Sequence, residues 1–170
     1  ICCCCGAKNF AVLKTALHIL KVGGHLFSVA AAFEEVLTAF AGLEGAKVLV
    51  HGGGRHATAL ARQLGISPKV VDGRRITDAA MLEVAVMSYA GLSNKKIVSQ
   101  LQKQGVNALG LTGADGNCIE AVKRPVKDID YGFAGDITQV NTAVFKSLTA
   151  QNFVPVLCAI THDKNGQLLN

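Results

Sequence analysis

The chain has little charge, few aromatic rings and almost no proline. Charged residues make up 17% of its 170 positions, aromatics 5%, and there are three prolines and no tryptophan. So little charge in a chain that is 50% hydrophobic excludes a disordered segment, which needs the reverse balance. Three prolines exclude collagen-like and mucin-like compositions. No uninterrupted apolar run reaches the 18 or so residues of a membrane-spanning helix. The net charge of +5 is scattered, with no basic block beyond Arg74-Arg75 and Lys95-Lys96. Nucleic-acid binding wants a clustered basic face with aromatics interleaved, so no nucleic-acid partner is expected. A small anionic ligand fits this modest excess better. Mean hydropathy is +0.35, and a chain of this length buries enough surface for a core of its own.

Cysteine is present but oddly placed. Four of the six are the adjacent Cys2 to Cys5, which lack metal-ligand spacing. Together with the absence of an n-region charge, this marks residues 1–16 as an atypical N-terminal segment, an artefact or a fragment edge rather than a signal peptide. Cys118 and Cys158 lie in apolar contexts and read as reduced, buried thiols of a cytoplasmic protein.

What the sequence does have is glycine, 18 of 170, and a regular alternation of short apolar runs with helical stretches. Strands are expected at Leu17–Val22, Lys47–Val50, Val106–Leu111 and Phe153–Ile160. Helices are expected at Ala30–Phe40, Arg55–Leu64 with Gly65 as its stop, Asp78–Ala90, Asn94–Gln104 between Ser93 as N-cap and Gly105, and Asn141–Ala150. Extended, hairpin-like segments fill Asn117–Ile137. The class is therefore α/β, a three-layer, open, mainly parallel sheet with helices on both faces.

Two strands run straight into glycines, Lys21-Val22-Gly23-Gly24 and His51-Gly52-Gly53-Gly54. Ligands of open α/β sheets bind outside the carboxyl ends of the strands. There, glycine lets backbone N–H groups approach an anion, and a following helix adds its positive end. Each turn alone could be a plain tight connection; two in neighbouring units favour a phosphate or carboxylate cradle. Lys21 could stabilise charge on a transferred phosphoryl group, and Arg75 could clamp a carboxylate with two parallel bonds. A rival reading is a dinucleotide site, because Gly52-x-Gly54-x-x-Ala57 fits the fingerprint and Asp72 follows about twenty residues on. No P-loop and no G-x-S-x-G motif is present, and His51, His56 and His162 lack metal-like spacing.

Five blocks in order carry a resemblance. They are Val48-Leu49-Val50-His51-Gly52-Gly53-Gly54-Arg55, Gly73-Arg74-Arg75-Ile76-Thr77-Asp78, Ala90-Gly91-Leu92-Ser93-Asn94-Lys95, Gly110-Leu111-Thr112-Gly113-Ala114-Asp115 and Gly166-Gln167-Leu168-Leu169-Asn170. From about Leu17 to Asn170 the chain closely resembles the N-acetylglutamate kinases of the amino-acid kinase family. Lys123-Arg124-Pro125-Val126, Asp130-Tyr131-Gly132-Phe133 and Gly135-Asp136 resemble the bacterial version for which N-succinylglutamate is the alternative substrate. The resemblance implies ATP-dependent phosphorylation of the side-chain carboxylate of N-acetyl-L-glutamate in arginine biosynthesis, with Mg²⁺ brought by ATP and no protein metal ligands. It implies Lys21 as transition-state stabiliser and Gly23 and Gly24 as donors to the ATP phosphates. Gly53, Gly54, Arg75 and Asn170 are the implied substrate-binding residues.

The family resemblance also implies a homodimer or larger homo-oligomer. In the family, Asn170 is followed by a nucleotide-binding lobe with a second lysine. The expectation is thus an N-acylglutamate-binding lobe over 17–170, with the C-terminal nucleotide lobe missing and negligible kinase activity from the 170 residues alone. A non-catalytic acyl-glutamate-binding module is the alternative from another class.

Overall fold

A computed structural model describes residues 17–24 and 30–170 of the chain; residues 1–16, and with them Cys2 to Cys5, lie outside the described residues. Strand β1 (His18–Val22) runs parallel to β2 (Lys47–His51). β2 runs parallel to β8 (Val154–Cys158), and β8 to β5 (Ala108–Leu111). The order β1-β2-β8-β5 puts all four carboxyl ends on one side. β2 and β8 are central and buried on both faces, which is why Lys47–Val50 and Val154–Cys158 read as near-continuous apolar runs.

Helices α1 (Ala30–Ala41) and α4 (Asn94–Lys103) cover one face. Leu37, Phe40, Ile97 and Leu101 meet Leu49, Val156 and Val22 there in the largest buried cluster. Helix α5 (Thr142–Ala150) covers the other face, where Val144 and Phe145 pack on Val48 and Leu157. Helices on both faces of a parallel sheet are the architecture expected from the alternation. Beside α5, among the described residues, Ile19, Val48, Val50 and Val140 line an apolar groove next to the edge strand β1.

Helix α2 (Gly54–Gln63) and helix α3 (Ala79–Val86) sit at the carboxyl ends of the strands, with Ala57, Ala61, Met81 and Ala85 in a second cluster around Cys158 and Ile160. Asp78 caps α3, its carboxylate accepting from the Met81 N–H at 2.8 Å. Gly65 and Gly105 end α2 and α4 in the left-handed region, at φ of +75° and +76°. In each case the next N–H reaches back to a carbonyl five residues earlier, Ile66 to Ala61 and Val106 to Leu101.

Two features depart from the sequence reading. First, Ser93 caps nothing. The chain stays helical from α3 into α4 through a π-helical stretch, Met87–Ser93, and the Ser93 hydroxyl instead lies 3.2 Å from His56 Nδ1. Periodicity cannot register one wide turn inside a continuous helix. Second, a separate mixed sheet is present. Its β6 (Ile119–Lys123) and β7 (Gly135–Val140) form an antiparallel hairpin within the expected extended region, flanked by β9 (Thr161–His162) and β10 (Leu168–Leu169). A two-stranded hairpin of β3 (Val70–Val71) and β4 (Arg74–Arg75) stands apart, turned by Asp72 and Gly73, both at positive φ.

The hairpin loop between β6 and β7 is tied to the main body at Thr77. Its N–H donates to Tyr131 O at 3.0 Å and its carbonyl accepts from Phe133 N–H at 2.7 Å. Gly132, between them, has φ +66°, and a Cβ there would stand 2.8 Å from the Thr77 carbonyl carbon. Gly132→Ala should therefore cost about 1–3 kcal/mol, combining left-handed strain with a backbone clash. Urea unfolding checks this; a midpoint equal to the parent's would refute it.

Candidate functional site

The two glycine turns meet. Gly52 N–H donates to Val22 O at 3.2 Å, which holds the end of β2 beside the end of β1. Beyond that bond the backbones close in: a Cβ on Gly24 would stand 3.1 Å from Gly54 N and 3.4 Å from the Gly53 carbonyl carbon. The turns pack main chain on main chain, and Gly54 begins α2, so the first N–H groups of that helix open at the same place.

A buried polar network holds the second turn from below. His51 is 1% exposed and Asn94 1%. His51 Nδ1 lies 2.9 Å from Gly52 O, and Nε2 lies 3.1 Å from Asn94 Nδ2. Asn94 Nδ2 also donates to Val156 O at 2.8 Å, and Asn94 Oδ1 accepts from Lys95 Nζ at 3.2 Å. The carbonyl demands a proton on Nδ1 and the amide donor demands a lone pair on Nε2, so these contacts define a neutral imidazole. Burial pushes the His51 pKa below its ordinary value, against a smaller upward pull from the Gly52 carbonyl. Asn94 reaches the sheet only because Gly110 on β5 has no side chain; a Cβ there would collide with the Asn94 amide.

Arg75, at the end of β4, leans over the turn. Its Nη2 donates to Gly54 O and to Thr58 Oγ1, both at 2.8 Å. Arg75 and Gly54 line two adjoining cavities. One, of about 480 Å³, is bounded by Gly24, Arg55, Thr58 and Arg62. The other, of about 360 Å³, adds Arg74, Tyr89, Arg124, Tyr131 and Asn170. Asn170 is fixed by three bonds: its N–H to Phe133 O at 2.9 Å, its carbonyl from Gly135 N–H at 2.9 Å, and Nδ2 to Thr77 Oγ1 at 3.1 Å. Arg124 is held by Asp136, with Nε 3.0 Å from Oδ1, and its guanidinium lies 5.7 Å from the Tyr131 ring centroid. That pairing holds the Asp136 carboxyl below its ordinary pKa and raises that of Arg124.

Of the residues singled out from sequence, Gly24, Gly54, Arg75 and Asn170 are brought to these cavities. Gly53 lies one residue back, under the Tyr89 ring. Among the described residues nothing lies within 4 Å of a Cβ position on Gly23. Lys21 is exposed on β1 and lines neither cavity; in register with Val50, it shares the sheet face of the apolar groove. Asp72 does not play the dinucleotide part. It occupies a hairpin turn at φ +50°, and β3 pairs with β4 rather than beside β2, where a ribose-binding carboxylate would stand. Cys118 and Cys158 are buried and free, and burial raises the Cys158 pKa to about 11. Among the described residues no group of three or more His, Cys, Asp or Glu is placed to hold a metal.

Sequence reasoning missed Tyr89 and Arg124 as cavity residues. Tyr89 packs on the buried face with Met81 and Ala85, so its pattern in the sequence is that of a core residue, and no local signal shows that it also borders the cavity.

The family model for the amino acid kinase family matches residues 16–170. The chain is 54% identical over 158 residues to the acetylglutamate kinase of Phocaeicola vulgatus, covering 93% of this chain and 62% of that protein. It is 56% identical over 154 residues to that of Parabacteroides distasonis, covering 91% and 60%. The acetylglutamate kinase of Methanopyrus kandleri is 34% identical, over 91% and 61%. The chain thus spans about three-fifths of the length of these curated relatives. Among solved structures, smu.665 from Streptococcus mutans superposes with a TM-score of 0.78 at 22% identity, covering 91% of this chain and 62% of that one. The N-acetylglutamate synthase of Neisseria gonorrhoeae does so with 0.74 at 22%, covering 91% and 36%. At those identities the likeness is one of fold.

The neutral His51 makes stability depend on pH. Its folded pKa lies below the unfolded value of about 6.5, so as pH falls through that value the unfolded chain takes up a proton that the folded chain refuses. Stability from this group is complete above about pH 6.5 and declines below it, toward the folded pKa. Urea midpoints at pH 7.5 and 5.5 should fall with pH, and the His51 imidazole ¹⁵N shifts should keep the Nδ1–H neutral form to lower pH than an exposed histidine does. A His51 that protonates as readily as an exposed histidine would contradict the network.

Proposed function

The chain belongs to the amino acid kinase family, and we propose that within it this chain forms the acyl-amino-acid-binding part of an acetylglutamate kinase. The whole protein would phosphorylate the side-chain carboxylate of N-acetyl-L-glutamate with ATP, in arginine biosynthesis in the cytoplasm. The observation that carries this reading is the contact between the Gly23-Gly24 and Gly53-Gly54 turns, with Arg75 and Asn170 around the same opening. That arrangement suits two anions that must approach each other.

The chemistry asks for little else. A carboxylate is already a nucleophile, so no general base is needed. The obstacle is repulsion between the carboxylate and the terminal phosphate, which positioning, N–H dipoles and cationic side chains must overcome. In this reading the Gly53 and Gly54 N–H groups hold the reacting carboxylate. Arg75 takes the α-carboxylate, and Asn170 contacts the acyl-amide end. Gly23 and Gly24 cradle phosphate oxygens, for which main-chain N–H groups bare of side chains are a fitting donor set, and Lys21 offsets charge on the transferring group. Mg²⁺ would come bound to ATP, with phosphate and water as its ligands, and would neutralise phosphate charge. A homodimer or larger homo-oligomer belongs to the same reading.

A second reading, N-succinyl-L-glutamate as the substrate, is favoured by one observation. Three guanidinium groups, Arg74, Arg75 and Arg124, line a single cavity, and one suffices for an α-carboxylate. A succinyl group would bring a further carboxylate for Arg74 or Arg124.

Thermal unfolding of the chain with each ligand tests both readings. A ligand at a hundred times its dissociation constant should add about 2.7 kcal/mol of stability. N-acetylglutamate or N-succinylglutamate should raise the melting temperature, plain glutamate less, and Arg75→Ala should abolish the rise. A larger effect of the succinyl compound selects the second reading. No shift with either acyl-glutamate would refute the proposal for this chain.

A further inference from the structure

Tyr89 is a buried phenol whose hydroxyl has no hydrogen-bond partner among the described residues. The residue is 5% exposed and sits in the second cluster with Met81 and Ile160. A phenol this deep usually finds a hydrogen-bond partner. None of the described residues supplies one within hydrogen-bond geometry. Nor is the hydroxyl sealed in: the side-chain oxygens enclosed without a partner are Ser88 Oγ and Thr161 Oγ1. Instead Tyr89 lines the cavity that holds Arg75, Arg124 and Asn170, and its hydroxyl oxygen stands 4.0 Å from a Gly54 Cβ position.

Two further facts show how the ring gets there. Tyr89 belongs to the π-helical stretch Met87–Ser93 that continues α3, and it packs in one cluster with Met81 and Ala85 of that helix. The ring lies against the second glycine turn: a Cβ on Gly53 would stand 2.9 Å from Tyr89 Cε1 and 3.3 Å from Cγ. The absence of a side chain at position 53 therefore serves the ring on one side and the N–H approach on the other.

From these observations we infer that Tyr89 is a substrate-binding residue, its hydroxyl donating a hydrogen bond to the carboxylate held by the Gly53-Gly54 turn. A phenol O–H is a matched donor for a carboxylate oxygen, and such charge-assisted bonds are the stronger kind. The bond would orient one carboxylate oxygen and leave the other free to attack. The inference rests on the reading that an N-acylglutamate occupies this cavity.

The chain carries its own reporter. It has two tyrosines and no tryptophan, and both tyrosines, Tyr89 and Tyr131, line this cavity. Calorimetric titration of the chain and of Tyr89→Phe with N-acetylglutamate and N-succinylglutamate should show about tenfold weaker binding by the variant. With N-acetylglutamine, which presents a neutral amide in place of the side-chain carboxylate, the penalty should shrink to about threefold or less. A purely structural role for the ring would give the same penalty for both. In a Tyr131→Phe background, emission from Tyr89 should change on saturation as its hydroxyl gains an anionic acceptor; this reading holds even if Tyr89→Phe disturbs folding.

If the chain binds an acyl-glutamate and Tyr89→Phe binds it equally well, or the Tyr89 emission stays constant at saturation, the Tyr89 contact is refuted and the substrate reading survives. If the unaltered chain binds neither acyl-glutamate while melting cooperatively, both fall together.

Discussion

The contact between the Gly24 and Gly53-Gly54 backbones sets the spacing of everything around the cavities. With 3.1 Å between a Gly24 Cβ position and Gly54 N, a side chain at position 24 could enter only by forcing the strand ends apart. The parallel sheet fixes the directions of β1 and β2, and the Gly52 N–H bond to Val22 O fixes their ends. Among the described residues, what remains is a seam of main-chain donors at the start of α2, with no side chain between the two turns. Arg75 leans over this seam and binds the Gly54 carbonyl, so its guanidinium is placed by the turn it serves.

Rigidity comes from beneath. The His51 and Asn94 side chains link β2, β8 and the start of α4 through three contacts of 2.8 to 3.1 Å, each between neutral groups. A charged imidazole would leave Asn94 Nδ2 facing a proton, and its burial would be costly. Lys95 Nζ joins this network at Asn94 Oδ1, while Arg74, Arg75 and Arg124 line the cavity above the turn at the start of α2.

The sequence made much of this legible, because the signals were local. Val48 to His51 followed by three glycines reads as a buried strand opening into a turn, and it is one. Gly65 and Gly105 read as helix stops and adopt the left-handed conformation that stops helices. Ser93 misled because serine before a helical run is a capping signal, and nothing in the local pattern says that the preceding segment continues as a π-helix. The mixed sheet was harder, since β9 and β10 are two residues each and β9 joins the distant strand β6 through the single pair Glu120 and His162. Arg75 and Asn170 could be assigned roles from motifs, whereas Arg124 stood in the Lys123-Arg124-Pro125-Val126 motif without a role and Tyr89 read as a helix residue: only the folded chain brings these two to the cavity.

Gly53 and Tyr89 form one volume shared by two positions. Ring and missing Cβ are complementary, so the fitness of a residue at one position is conditional on the other. An alanine at 53 is inaccessible to a lineage that has an aromatic at 89, and becomes accessible only after the ring has been exchanged for something smaller. The reverse path, from a smaller residue to tyrosine, is open only while 53 is glycine. The pair is therefore epistatic, and the order of substitution, more than the chemistry of either residue alone, constrains how this wall of the cavity can be remodelled.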